Sequence, residues 1–238
     1  MALSGCSYTP IDNDSPADVQ MAEGERLLSK GRYVEAVERF RILRTRHPHS
    51  KQAALASLRI GDAHYEEEAF IEAASAYKLF RELHPKHERA PYALFRLGES
   101  YYQQIPSTAD RDLSAAQDAI EAYAALVEKF PQSQDAATAR ERIHTLRQKL
   151  AEKEDYIGDF YFKRDLFRAA ASRYQNLMDQ FAGFGFDERA LYRLASALEK
   201  IGEHVRAEEM IDRYRAMFPE GKFLKNLEDI RKRLAEKN

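Results

Sequence analysis

Small and large apolar positions recur along this chain at fixed intervals. Gly24, Gly61, Gly98, Gly158 and Ala195 are each followed by an alanine, namely Ala36, Ala73, Ala119, Ala170 and Ala207. The interval is twelve residues in four copies and nine residues longer in the third. A large apolar residue stands four places after each alanine: Phe40, Tyr77, Tyr123, Tyr174 and Ile211. Pro48, Pro85, Pro131 and Pro219 close four copies, and Ala182 holds that place in the fourth. Gly24 to Gly61 and Gly61 to Gly98 are both 37 residues, the unbroken period. Two antiparallel helices need this arrangement, because small residues at their crossing let the backbones approach while a large one fills the groove toward the next pair.

The pattern predicts paired helices at about 17–30 with 32–46, 51–67 with 70–83, 89–104 with 112–129, 135–163 with 166–181, and 187–201 with 203–217. Glycine in Lys30-Gly31 and Ile201-Gly202 falls where a helix end wants a positive φ. A final amphipathic stretch, about 222–236, spaces Phe223, Leu227, Ile230 and Leu234 as a helix that caps the apolar end of the array. The repeats resemble the tetratricopeptide repeat, whose unit is close to this period. The fold class expected is therefore all-α, an α-solenoid of five such repeats with a C-terminal capping helix.

Two insertions break the period in different ways. The extra residues around Ile105-Pro-Ser-Thr-Ala-Asp-Arg-Asp112 carry a proline and turn formers, which lengthens a loop. Between Pro131 and Gly158 there are fourteen more residues than between Pro48 and Gly61, with no helix breaker among them. Fourteen steps of about 100° return to within roughly 40° of the starting face, so one helix of about 28 residues, near 42 Å long, is expected there. Ile143, Leu146, Leu150, Ile157 and Tyr161 trace its apolar side. The expected domains are residues 1–16 as a linker, 17–134 as repeats one to three, and 135–238 as the long helix, repeats four and five and the cap.

Charge changes the picture mainly by exclusion. Of 238 residues 32% are charged, yet the net charge is only −2, so no broad basic footprint for nucleic acid is present. No run reaches the length of a membrane span. His47-Pro-His49 and His84-Pro-Lys-His87 lie in loops, no cysteine supports them, and no metal site is expected. Gly-x-Ser-x-Gly and phosphate-loop motifs are missing from the sequence, and Glu66-Glu67-Glu68 reads as a solvated helix end. Neither catalysis nor a cofactor is expected.

The single cysteine, Cys6, stands in Leu3-Ser-Gly-Cys6. That tetrapeptide resembles the lipobox of bacterial lipoproteins, which implies acylation of Cys6 and anchoring to a bilayer. Only Met1 to Gly5 precede it, too few for the basic and apolar parts of an export signal. A natural chain with a longer leader is the expectation. Ser7, rather than aspartate, after the cysteine favours outer-membrane sorting in the families that this lipobox resembles.

The first-helix positions three before and four after each glycine line the concave face of tetratricopeptide arrays. They hold Met21 and Leu28, Leu58 and Tyr65, Phe95 and Tyr102, Asp155 and Phe162, Tyr192 and Glu199. Leu58, Tyr65, Phe95 and Tyr102 make an apolar, aromatic stripe suited to a peptide with aromatic side chains. The same residues could instead pack against loops or the N-terminal segment.

Taken over the whole length, the lipobox, linker, five repeats and long helix resemble the BamD family of the outer-membrane β-barrel assembly machine. Asp110-Arg-Asp112, Phe130-Pro-Gln-Ser133, Leu146-Arg-Gln-Lys-Leu-Ala-Glu-Lys-Glu154 and Asp159-Phe-Tyr-Phe-Lys-Arg164 carry the resemblance; Ala182-Gly-Phe-Gly-Phe186 departs from it. The resemblance implies a scaffold on the periplasmic face of the outer membrane. Its partners would be unfolded outer-membrane β-barrel proteins, the POTRA domains of BamA and the machine's other lipoproteins. Arg189 and Arg193, one turn apart at the start of repeat five, are the candidate partner-docking residues. A periplasmic tetratricopeptide adaptor of the Tol–Pal system, or a regulator of a peptidoglycan enzyme, is the alternative.

Overall fold

A computed structural model describes residues 12–108 and 111–236, so Cys6 and its lipobox lie outside the described residues. Every regular element among the described residues is a helix. In chain order they are α1 (Ala17–Ser29), α2 (Tyr33–Arg46), α3 (Lys51–Glu66), α4 (Phe70–Leu83), α5 (Ala90–Gln103), α6 (Ser114–Lys129), α7 (Ala136–Phe162), α8 (Phe167–Gln180), α9 (Asp187–Lys200), α10 (His204–Met217) and α11 (Leu224–Ala235). Five hairpins and a last helix follow the predicted pairs to within a few residues.

The same local devices recur because the same residues recur. Four first helices close with a hydrogen bond across five residues, in which the N–H groups of Arg32, Ala69, Leu166 and Glu203 donate to the carbonyls of Leu27, His64, Tyr161 and Leu198. This closure needs a left-handed residue just beyond the helix. Gly31 and Gly202 supply it at φ 70° and 78°, whereas Glu68 and Asp165 adopt 61° and 59° without glycine's freedom. Repeat three lacks this closure because its inserted loop starts there. Second helices end just before the proline, as where His47, His84, Phe130 and Phe218 donate to the carbonyls four residues back. Ser50 accepts from the amide of Ala53 and caps α3.

The recurring alanines Ala36, Ala73, Ala119, Ala170 and Ala207 are all fully buried. Each large ring lies on the glycine of its own hairpin: a Cβ built on Gly24, Gly61, Gly98 or Gly158 would come within 2.3, 2.7, 2.5 and 2.9 Å of Phe40, Tyr77, Tyr123 and Tyr174. Glycine is thus required by close approach rather than by φ. Toward the next hairpin the ring offers its hydroxyl, since Nε of Arg96 donates to Tyr77 at 3.3 Å.

The described residues fall into two compact units, one up to Ile105 with Ser114–Ile143, the other Pro106–Leu113 with the residues from His144 onward. The division falls inside α7, whereas the sequence placed it near residue 135. The first turns of α7 pack on repeat three as though they opened a further repeat. In the first unit, buried side chains of α1 to α3 and of α3 to α6 form contiguous clusters. In the second, α8 to α11 share one core, and Leu227, Ile230 and Leu234 of α11 are buried in it. Phe223, just before α11, stacks on Tyr192 at 4.4 Å.

α7 runs unbroken for 27 residues, with Leu146, Leu150 and Ala151 buried along it. Its lysines hold the long loop of repeat three: Lys149 donates to the carbonyl of Pro106 at 2.5 Å and Lys153 to that of Arg111 at 3.1 Å. Residues 12–16, the described end of the expected linker, lie against α1 and α2. Gln20 donates to the Asp12 carbonyl at 2.6 Å and His47 to that of Ser15 at 2.9 Å.

Candidate functional site

The residues of the aromatic stripe do not share one environment. Leu58 is 2% exposed and belongs to the core with Ala73, Tyr77, Phe80, Ala93 and Leu97. It sits mid-helix in α3, where α4 and α5 close over it. Tyr65 and Tyr102 occupy the last turns of α3 and α5, where that packing thins, and both are half-buried, as is Phe95. Tyr65 meets Phe70 edge-on at 5.2 Å, and Phe95 lies 6.0 Å from the ring of Tyr123.

Arginines stack on two of these rings. The guanidinium of Arg96 lies 3.6 Å from the centre of Tyr65, and that of Arg142 lies 4.1 Å from the centre of Tyr102. Arg96 is held by the Tyr77 phenol at 3.3 Å and by the exposed Glu66 at 3.3 Å, and Arg142 by the buried carboxylate of Glu99. Tyr77 and Tyr92 donate to Oδ1 of Asp62 at 2.6 and 2.8 Å, and Arg59 pairs with its Oδ2 at 2.9 Å. One repeat on, Tyr123 donates to Oε1 of Glu99 at 2.5 Å, and Nε of Arg142 reaches the same oxygen at 3.0 Å. Burial, reinforced by Asp62, holds the Tyr77 phenol far above its ordinary range and pushes Tyr92 up to about 12. Burial, with the bond to Glu99, does the same for Tyr123. These phenols stay protonated and serve as hydrogen-bond donors to the carboxylates beneath the rings.

Sequence reasoning missed Arg96, Arg142, Asp62 and Glu99. The signal was present, since Arg59-Ile-Gly-Asp62 and Arg96-Leu-Gly-Glu99 bracket the repeat glycine identically. Arg142 holds the same register once the fourteen inserted residues are removed, because it stands fourteen before Tyr156 and Tyr156 two before Gly158.

Arg189 and Arg193 lie on α9 in the second unit, and both bond internally. Arg189 pairs with Asp155 and, at 2.8 Å, with Asp159 of α7, while Arg193 reaches Asp159 at 3.4 Å and lies 4.5 Å from the centre of Phe162. Their first role is to clamp α9 to α7, although roughly a third of the Arg189 side chain and a quarter of Arg193 remain exposed. Burial raises the Asp155 carboxyl above its usual range despite Arg189; at Asp159 burial acts in the same direction, but Lys163 and the two arginines together outweigh it and hold the carboxyl below that range.

Among the described residues no three His, Cys, Asp or Glu side chains gather as a metal site. His84 and His87 instead lie 5.3 Å from the ring of Phe80. No described helix is long and apolar enough to cross a membrane.

Residues 13–213 match the family model of YfiO, an outer membrane lipoprotein. The chain belongs to that family. Relatives named outer membrane protein assembly factor BamD include those of Neisseria meningitidis, 30% identical over 94% of this chain and 90% of the relative, and of Caulobacter vibrioides, 30% identical over 84% and 67%. That of Vibrio cholerae is 25% identical over 84% and 87%. Among solved structures, the TPR2AB domain of yeast Sti1 in its pHSP90 complex aligns with 92% of this chain and 98% of its own length at 15% identity and a TM-score of 0.44. A thermophilic tetratricopeptide protein of Thermus thermophilus aligns with 93% and 98% at 14% identity and a TM-score of 0.40. The family match extends through α1 to α9 and most of α10, and so includes both the aromatic face and the α7–α9 clamp.

Proposed function

We propose that this protein is a non-enzymatic, lipid-anchored scaffold for assembling outer-membrane β-barrel proteins. In this reading the first unit receives segments of unfolded barrel proteins on Tyr65, Phe95 and Tyr102. The exposed edges of Arg189 and Arg193 dock on POTRA domains of a BamA-type barrel subunit, beside the machine's other lipoproteins. Cys6 carries the acyl chains that hold the scaffold on the periplasmic face of the outer membrane. Membership of the lipoprotein family and the assembly-factor names of its relatives support the role as a whole.

The observation that carries the substrate reading is the paired stacking of Arg96 on Tyr65 and Arg142 on Tyr102. Each ring is fixed before a ligand arrives, so little side-chain entropy remains to be lost on binding. Unfolded strands of a barrel alternate apolar and polar residues. They therefore offer aromatic side chains to the rings and backbone carbonyls to the guanidinium groups.

Titration of a synthetic peptide from the C-terminal strand of an outer-membrane protein tests the reading. Because aromatic anchors often contribute about 2 kcal/mol each, Tyr65→Ala with Tyr102→Ala should weaken binding roughly a hundredfold or more while the helical circular dichroism persists. Equal affinity in a folded double variant would place these rings among packing residues. The anchor is checked separately by mass spectrometry of membrane-extracted protein, where an unmodified Cys6 thiol would refute it.

A further inference from the structure

The first unit contains the same groove twice, and the two copies have different fates. The first copy lies over α3 between α2 and α4 and is lined by Arg41, Arg44, Ile60, His64, Glu72 and Ser75, with Ile71, Ala76 and Leu79 alongside. The second lies over α5 between α4 and α6, lined by Lys78, Arg81, Leu97, Tyr101, Asp118 and Glu121, with Ala122. Lys78, Arg81, Leu97 and Tyr101 stand one period of 37 residues after Arg41, Arg44, Ile60 and His64. Asp118 and Glu121 are placed against Ala119 as Glu72 and Ser75 are against Ala73.

In the second copy two basic and two acidic side chains line the space together, without an ion pair among the described residues, and Tyr101 helps to fill it, leaving a cavity of about 70 Å³. Burial raises the Tyr101 phenol, with Asp118 and Glu121 acting in the same direction. In the first copy His64 replaces the larger ring and Ser75 replaces the second acid, and the cleft measures about 450 Å³. The guanidinium groups of Arg41 and Arg44 make no ion pair or hydrogen bond among the described residues. His64 has a buried Nδ1 that lacks a hydrogen-bond partner there, with the Glu67 carboxylate 3.9 Å away. Beside them Ile71 and Leu79 are 68% and 41% exposed.

We infer that the groove between α2 and α4 docks an acidic segment of a partner protein, its aliphatic side chains against Ile60, Ile71 and Leu79 and its carboxylates on Arg41 and Arg44. The occupant brings carboxylates to the place that Asp118 and Glu121 line one repeat later. Charge complementarity selects its sign, since the lining carries two arginines against the single Glu72. Aliphatic residues exposed beside an unfilled cleft select its apolar part. None of Tyr65, Phe95 and Tyr102 lines this groove, so it stands apart from the proposed receptor face.

Fluorescence anisotropy with short labelled peptides tests this directly, using leucine anchors flanked by glutamate, glutamine or lysine. The full chain should bind the glutamate peptide best and more weakly as salt rises. Arg41→Glu with Arg44→Glu should weaken that peptide by roughly tenfold or more per site and transfer preference to the lysine peptide. Ser75→Glu with His64→Tyr rebuilds the second groove in the first and should abolish binding, with unchanged circular dichroism showing that the fold persists. Absent binding of the glutamate peptide, equal binding of all three, or indifference to the arginine reversal overturns the inference. Binding to phosphatidylglycerol vesicles through the same arginines, with no peptide binding, assigns the groove to lipid headgroups and overturns it too.

Discussion

The phenol of Tyr123 and the carboxylate of Glu99 meet at 2.5 Å across the third hairpin, and Arg142 at the head of α7 closes on the same oxygen. One carboxylate thus ties both helices of repeat three to the helix that follows. Removing the phenol leaves Glu99 paired with Arg142 but strips one charged hydrogen bond from a buried site. Tyr123→Phe should lower stability by about 1–2 kcal/mol, read from chemical denaturation. In a double-mutant cycle with Arg142→Met the two effects should be non-additive, because they share an acceptor. Additive losses would mean that the two bonds are independent.

Gly98→Ala should be costlier than its single methyl suggests. The new Cβ would stand 2.5 Å from Cε1 of Tyr123, and that ring is fully buried and held at its hydroxyl. A loss of about 1–3 kcal/mol is expected from such overpacking. Tyr123→Leu in the same chain should recover part of it by vacating the ring's space. If the second change only adds to the loss, the ring is not the obstacle.

His64 and His84 make stability depend on pH near neutrality. Burial lowers both below the ordinary 6.5, helped by Arg41 for His64 and by His87 and Arg44 for His84; Glu67 and Glu72 oppose the shift at His64. A folded state that binds a proton more weakly than the unfolded chain keeps its full stability above 6.5 and loses it as pH falls toward the lowered values. Denaturation midpoints measured downward from pH 7.5 should therefore fall, and less so in His64→Gln. Identical pH profiles for variant and parent would remove His64 from this account.

Asp165→Gly should stabilise the protein. Asp165 adopts φ 59° in an exposed turn where the equivalent residues of repeats one and five are Gly31 and Gly202. Relieving the left-handed conformation outweighs the larger entropy of glycine in the unfolded chain, for a net gain of about 0.5–1 kcal/mol. Glu68→Gly, at the matching turn of repeat two, should act alike. A fall in melting temperature for both would show that these side chains earn their place by contacts rather than by default.

The candidate face was only half legible before the structure. Position relative to the repeat glycine selected Tyr65, Phe95 and Tyr102, and all three keep part of their surface open. The same rule selected Leu58, because spacing identifies a side of a helix without specifying how deeply each turn is covered. Lying one turn apart at the start of repeat five marks Arg189 and Arg193 as docking candidates, although their guanidinium groups turn back to Asp155 and Asp159. Long charged side chains choose among partners from several elements, and that choice leaves no period to read.

By itself the sequence determined the hairpins, their turns, the cap and the unbroken α7, since each follows from residues a few places apart: glycine under a ring, a left-handed turn, a proline stop, an apolar face without a breaker. Tertiary structure alone decided the rest. It placed Arg96 and Arg142 over rings of the preceding repeat, divided the chain inside α7, and left the groove over α3 open while closing its copy over α5. Those outcomes depend on side chains far apart in the chain competing for one space, and local spacing carries no information about which of them wins.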